Sequence, residues 1–290
     1  MPELPDLRIL QEAFQAALVG RPLTAWAAPQ SIVVRGTPAE WAALIDRRLD
    51  SIVHRGKFLT FTFEGGDRIV INAMLTGRLG LAAPGSKAFG QTAVVMTFGS
   101  RAKAPAKTAK WTRGAAWLPA EDATIELRYR DTLKMGKIYL MPRGVVRPIA
   151  GWDEQGPDVD DATLSAEVWR ERIARHSGEV KNLLKNQAFV AGIGNGYSDE
   201  ILWAAGIAPF RKRSSLAPEE VDDLYRATRE VPAWAIDELR TRVPPRFEIE
   251  VRDFLKVHRK RGSACPRCGT NLSEVSPGGF VTTWCRSCQR

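Results

Sequence analysis

The cysteines of this 290-residue chain are Cys265, Cys268, Cys285 and Cys288, two Cys-x2-Cys pairs separated by 16 residues. That spacing offers four thiolates to one tetrahedral ion, each pair bending around it as a knuckle. No histidine lies between the pairs, so a bound metal would have a closed, all-cysteine shell of the kind that builds structure. A redox Cys-x2-Cys or an iron-sulfur cluster would use the same thiols; the spacing favours one structural Zn2+ ion in a C-terminal ribbon. No cysteine remains for disulfides elsewhere, which suits a reducing compartment.

The rest of the chain is basic. Forty-two Lys and Arg against 33 Asp and Glu give a net charge of +9 and a pI near 9.6, which fits a polyanionic partner but does not by itself distinguish one from a merely basic soluble protein. No apolar run is long enough to span a membrane, and the start lacks a basic-then-apolar leader. The expectation is a soluble intracellular protein, cytoplasmic or nucleoid-associated, without membrane attachment.

Leu7, Leu10, Phe14, Ala17 and Leu18 recur at helical spacing, and Gly20 with Pro22 stops the run, so Asp6 to Leu18 reads as a helix. The segments 51–53, 58–63, 68–72, 93–98, 124–129 and 137–141 are β-branched or aromatic and bounded by turn residues, which predicts a β-sandwich-like N-terminal domain. A Lys/Ala-rich stretch, 100–110, with Lys103, Lys107 and Lys110, reads as a basic loop. Gly151 to Asp161 is acidic and turn-rich, a linker. Beyond it the pattern is helical: 166–176, 181–191, 197–205, and 218–242 with a kink at Pro232. The turn Gly192-Ile-Gly-Asn-Gly196 opens a helix whose first N–H groups are unpaired, a place where phosphate binds; Asn195 supplies either a donor or a helix cap, and a plain helical hairpin is the competing reading.

These residues resemble the formamidopyrimidine-DNA glycosylase and endonuclease VIII (Fpg/Nei) family. The matches run in family order: Pro2-Glu-Leu-Pro5, a strand-borne Lys57 in Arg55-Gly-Lys-Phe58, Leu75-Thr-Gly77, Gly192-Ile-Gly-Asn195 with Tyr197 and Glu200, and the terminal ribbon. The resemblance implies an α+β multidomain fold. Residues 1–150 would form the catalytic domain of helix and β-sandwich, 151–253 a helical helix-two-turn-helix domain, and 254–290 the zinc finger, with damaged double-stranded DNA in the cleft of a monomer. It implies a bifunctional DNA glycosylase and abasic-site (AP) lyase of base-excision repair, with Pro2, Glu3 and Lys57 catalytic and with Leu75, Lys134, Lys181 and Asn195 on DNA. The chemistry of Pro2 agrees on its own terms. Without Met1 it is a secondary amine with a pKa of about 7.7 to 8.0, against about 10.4 for lysine, so much more of it is neutral and able to attack. Glu3 matches the family's general acid/base and Lys57 its helper in elimination. Leu75, flanked by Met74, matches the wedge that fills the space of a flipped nucleotide; core packing is its alternative role.

The chain also departs from the family. A common histidine near Gln91 is absent, and Asp131-Thr-Leu-Lys-Met-Gly136 puts Lys134 where an arginine would contact the opposite strand. Phe280 stands where the ribbon hairpin carries a phosphate-binding arginine, which puts δ-elimination in question unless Arg267 or Arg286 compensates. Phe247 to Val257 runs straight into the ribbon without a long capping loop, which tilts the substrate from 8-oxoguanine towards oxidised pyrimidines or ring-opened purines. Gly196 replaces a bulkier apolar residue, and Asp6 a glutamate. A catalytically reduced DNA- or lesion-binding relative is the alternative function, and a zinc-ribbon protein of unrelated fold the third.

Overall fold

The computed structural model describes residues 1–87, 90–103 and 115–290, so the basic stretch falls outside the described residues from 104 to 114. The chain forms two compact units. The first comprises Met1–Pro2, Asp6–Ile149 and Leu239–Glu250; the second comprises Glu3–Pro5, Ala150–Glu238 and Val251–Arg290.

The first unit holds helix α1 (Leu4–Leu18) from Asp6 onward, the short helix α2 (Pro38–Ala42), and the strands β1 (Leu23–Ala27), β2 (Val34–Arg35), β3 (Leu49–Arg55), β4 (Phe58–Phe63), β5 (Arg68–Asn72), β6 (Arg78–Ala82), β7 (Thr92–Phe98), β8 (Ile125–Arg130) and β9 (Lys137–Met141). They make a four-stranded sheet in the order β1-β7-β8-β6 and a five-stranded sheet in the order β2-β9-β5-β4-β3. All pairs are antiparallel except β2 with β9. Phe63 of β4 stacks on Phe98 of β7 at 6.5 Å, so inner faces of the two sheets meet in a sandwich. Leu7, Leu10, Phe14, Ala17 and Leu18 of α1 are buried, as their spacing predicts. The edge strands β1 and β2 and the Gly80-containing β6 carry weak alternation and are not legible as strands beforehand.

The second unit holds α3 (Ala166–Ala174), α4 (Val180–Lys185), α5 (Asn195–Ala205), most of α6 (Pro218–Arg242), and a hairpin of β10 (Ser273–Val275) with β11 (Thr282–Trp284). Helix α4 stops well before Ala191, where periodicity places its end. Asn186 Oδ1 accepts the Ala188 amide, and Gln187 donates to the Lys185 and Ile193 carbonyls while accepting from Gly192 N–H, so side chains take over the backbone groups. Helix α6 runs unbroken through Pro232. No helix among the described residues is long and apolar enough to cross a membrane.

Candidate active site

The turn at 192–196 receives a carboxylate of this chain. Glu3 is 5% exposed; its Oε2 accepts from Gly194 N–H at 2.6 Å and Tyr197 N–H at 3.2 Å, and its Oε1 from Gly196 N–H at 2.9 Å. These are the unpaired donors at the start of α5, where a negative charge is favoured. The glycines are required by this approach. A Cβ on Gly194 would lie 2.6 Å from Glu3 Cδ, and one on Gly192, at φ +98°, would lie 2.7 Å from Leu4 Cβ. The helix cap is Gly194, and Asn195 is the first helical residue. Its Nδ2 donates to Val281 O at 2.7 Å, so the amide faces the ribbon hairpin in place of the donor or cap role read from sequence.

Pro2 is buried and lines an apolar cavity of about 30 Å³ with Leu59, Ile71, Arg78, Phe247 and Glu250. That volume holds about one water and no nucleobase. Glu250 Oε1 stands 3.8 Å from the Met1 α-amino group, and Glu250 also pairs with Arg78. Arg78 donates in turn to the carbonyls of Leu75 and Gly77. Lys57 is half-buried in the two-residue turn between β3 and β4; the strand begins one residue later, at Phe58, which corrects its expected place on a strand.

Leu75 lies in a turn with Met74 at φ +49°, where Asn72 Oδ1 accepts the Met74 amide. It is 44% exposed, which excludes core packing. Lys134 is exposed on the loop after β8, at φ +55°. Both turns hang on buried Asp131, whose carboxylate accepts from Thr76 Oγ1, Leu133 N–H, Gly136 N–H and the Tyr129 hydroxyl. Burial, with the adjacent Asp131 charge, pushes the Tyr129 phenol far above its usual range.

Lys181 is 4% exposed, with its ammonium on Asp199 Oδ1 at 2.6 Å, Thr282 Oγ1 at 2.7 Å and Val281 O at 3.0 Å. An ammonium has three donors, so in this arrangement none is left for a phosphate. Burial lowers its pKa, opposed by the Asp199 charge. Asp199 Oδ2 accepts from Thr283 N–H at 3.1 Å and lies 2.7 Å from His258 Nδ1. Glu200 accepts the amides of Lys256, Val257 and His258. Asp199, His258 and Glu250 were not legible as site residues: each acts through partners distant in sequence, and no local spacing marks them.

The four cysteine sulfurs lie within 4.8 Å of one another, with Cys265 to Cys288 at 3.9 Å and Cys268 to Cys285 at 3.5 Å. Four sulfurs at about 2.3 Å from a tetrahedral ion stand about 3.8 Å apart, so the donor set fits one zinc-sized ion. Trp203 Nε1 donates to Cys265 Sγ at 3.3 Å, a contact that supports a thiolate. Phe280 is 57% exposed with the Lys185 ammonium 5.3 Å over its ring. Arg267 packs on Trp203 and donates to Ala204 O, and Arg286 lies over Trp284, so neither stands on Phe280.

Residues 1–138 match the family model described as formamidopyrimidine-DNA glycosylase N-terminal domain, and residues 155–243 the one described as formamidopyrimidine-DNA glycosylase H2TH domain. The formamidopyrimidine-DNA glycosylase of Symbiobacterium thermophilum is 30% identical over all of this chain and 89% of its own length. That of Thermomicrobium roseum is 29% identical over 100% and 99%. The Lactococcus lactis Fpg, solved in complex with abasic-site DNA, superposes with a TM-score of 0.83 at 23% identity, covering 99% of both chains. The same protein with DNA containing FAPY-dG gives 0.82 at 23% identity, over 99% of this chain and 100% of that one. At such identity these structures speak for the fold.

Proposed function

The chain belongs to the formamidopyrimidine-DNA glycosylase family, and from that premise we propose that it excises oxidised bases from double-stranded DNA and cleaves the abasic site that results. The observation that carries the reading is Glu3, next in sequence to Pro2 and fixed by the amides of Gly194, Gly196 and Tyr197. A carboxylate held by three backbone amides is set in position before any substrate arrives. Removal of Met1 frees the nitrogen of Pro2. Its lone pair attacks the sugar C1′, the bond to the base breaks, and the base leaves with a proton supplied through Glu3. The amine loses its proton, the C1′–O4′ bond opens with O4′ protonated through Glu3, and C1′ becomes an iminium carbon that is cationic without a further proton, which acidifies the C2′ hydrogen. Loss of that hydrogen, with Lys57 as helper, expels the 3′ phosphate by β-elimination, and water then releases Pro2.

Leu75 is the wedge that fills the space of the flipped nucleotide, and Lys134 contacts the opposite strand as a point charge. Lys181 and Asn195 act on DNA indirectly, by fixing the ribbon hairpin through Val281. The cysteines hold one Zn2+, which when bound supplies a structural cross-link for that hairpin. Phe247 is anchored against Phe14 and Trp117, at 5.6 and 5.0 Å, so the segment before the ribbon offers no long cap; ring-opened purines and oxidised pyrimidines suit it better than 8-oxoguanine. With Phe280 in place of the arginine, β-elimination dominates over δ-elimination.

The test is borohydride trapping on a duplex containing an abasic site, with Pro2→Gly and Glu3→Gln beside the wild type. A covalent adduct on the N-terminal peptide, lost in Pro2→Gly, is the expected result. Normal DNA binding with no adduct, together with a mature mass that retains Met1, would replace the reading with a DNA-binding relative.

A further inference from the structure

We infer that the groove lined by Phe210 and Phe280 is a stacking subsite for one unpaired nucleotide of a DNA strand, with the base on the Phe280 ring and its phosphate on Lys185. The inference rests on DNA as the partner, as proposed above, and adds a class of substrate to it: DNA with a single-stranded stretch. The groove shares no lining residue with the Pro2 cavity.

The groove has a volume of about 200 Å³, and Lys181, Asn182, Lys185 and Thr282 also line it. That is room for several waters, and so for a planar ring system. Phe280 is 57% exposed and Phe210 43%, so one small groove presents two large aromatic surfaces to solvent. The ribbon hairpin sets both. Phe210 meets Trp284 of β11 edge-on, with centroids 5.1 Å apart, and Phe280 stands two residues before β11, whose Thr282 accepts from the buried Lys181 ammonium. Walls fixed in advance lower the cost of binding between them.

The polar groups of the groove are largely spent. Lys181 gives its three donors to Asp199, Thr282 and Val281, and Asn182 donates to Glu179. Lys185, four residues further along α4 on the same face, forms no ion pair among the described residues; its ammonium lies 5.3 Å from the centroid of the Phe280 ring. A ligand for this groove therefore needs a flat face for the ring and an anion for the ammonium. A nucleotide carries both. Inside a duplex each base has its faces covered by its neighbours, so the nucleotide that fits is an unpaired one. An arginine at position 280 would offer donors to phosphate without a ring; phenylalanine exchanges that contact for stacking.

The experiment measures binding of a lesion-free single strand of mixed sequence, and of the duplex it forms with its complement, to the metal-loaded protein. Wild type is compared with Phe280→Ala, Phe280→Leu, Phe280→Trp and Lys185→Met. Single-strand binding is expected to weaken on the order of tenfold in the Ala and Leu variants and to be kept in Phe280→Trp, with duplex binding unchanged. Lys185→Met is expected to reduce the slope of log affinity against log salt on the single strand by about 0.7. Metal content reports whether the ribbon is intact; if the Ala variant loses metal, the Leu and Trp variants, which keep an apolar side chain, decide the question. Single-strand binding by Phe280→Leu equal to wild type, or equal losses on single strand and duplex, overturns this subsite and leaves the proposed function standing. Wild type that binds neither DNA overturns both.

Discussion

Glu3 Oε2 and the amide of Gly194 lie 2.6 Å apart although 191 positions separate them in the chain. The contact exists because residue 194 has no side chain: a Cβ there would stand 2.6 Å from Glu3 Cδ and 2.8 Å from Oε1. Gly194→Ala is expected to displace the carboxylate and to lower single-turnover base excision by on the order of a hundredfold, because a shift of about 1 Å in a catalytic group costs about that much. Cleavage of a preformed abasic site should fall far less. Equal losses in both reactions would show that the variant had disturbed Pro2 or the fold, and not Glu3 alone.

The Lys181 and Asp199 side chains are a buried ion pair, 5% and 0% exposed, whose ammonium also reaches Thr282 and Val281 of the ribbon hairpin. Removing one partner strands the other charge, a change that typically costs about 3–5 kcal/mol. Lys181→Met is therefore expected to lower the denaturant midpoint and to release the bound metal more readily. The salt dependence of DNA binding separates this role from a direct contact with phosphate. A phosphate-bound lysine contributes about one unit of slope, so a slope reduced by that amount in a stable Lys181→Met protein would contradict the buried role.

The central strands and the buried face of α1 were legible because both depend on short-range periodicity, which Leu7, Leu10 and Phe14 or Phe58 to Phe63 carry openly. The candidate site was legible only in its identities. Lys181 reads as one more cation on a basic chain; its burial depends on Asp199 and Thr282, 18 and 101 positions away. The turn around Gly194 reads equally as a phosphate site, because backbone donors do not reveal which anion will occupy them. Glu3 proved to be that anion. Helix α4 ends earlier than its periodicity predicts for a similar reason: the side chains of Asn186 and Gln187 compete for backbone groups in a way that hydrophobic spacing does not register.

Tyr129 gives a pH test of the network beneath the two exposed turns. Its phenol is pushed up in the folded protein by burial first and by Asp131 second. Above the unfolded pKa of about 10, the unfolded state loses the phenolic proton while the folded state keeps it, so the folded state binds more protons and stability falls as pH rises. The contribution is fully present below about pH 10. Wild type should lose stability between pH 10 and 11 more steeply than Tyr129→Phe, by up to about 1.4 kcal/mol per pH unit. Parallel stability curves for the two proteins would mean that the phenol ionises freely in the fold.

Leu75 and Ile71 are close in sequence and opposite in circumstance: Leu75 is 44% exposed in its turn, while Ile71 is 2% exposed in β5. Truncation should separate function from stability. Leu75→Ala removes little buried area and is expected to change the unfolding free energy by no more than about 0.5 kcal/mol. Ile71→Ala is expected to cost about 2–5 kcal/mol. If Leu75 occupies the space of a flipped nucleotide, its truncation leaves that space unfilled, and excision from duplex DNA should fall by at least about tenfold, the equivalent of about 1.4 kcal/mol of lost stacking and contact. The loss should shrink on single-stranded DNA, where no partner stack closes behind the base. Equal losses on single and double strands would place Leu75 in contact with the base itself and remove it from the wedge.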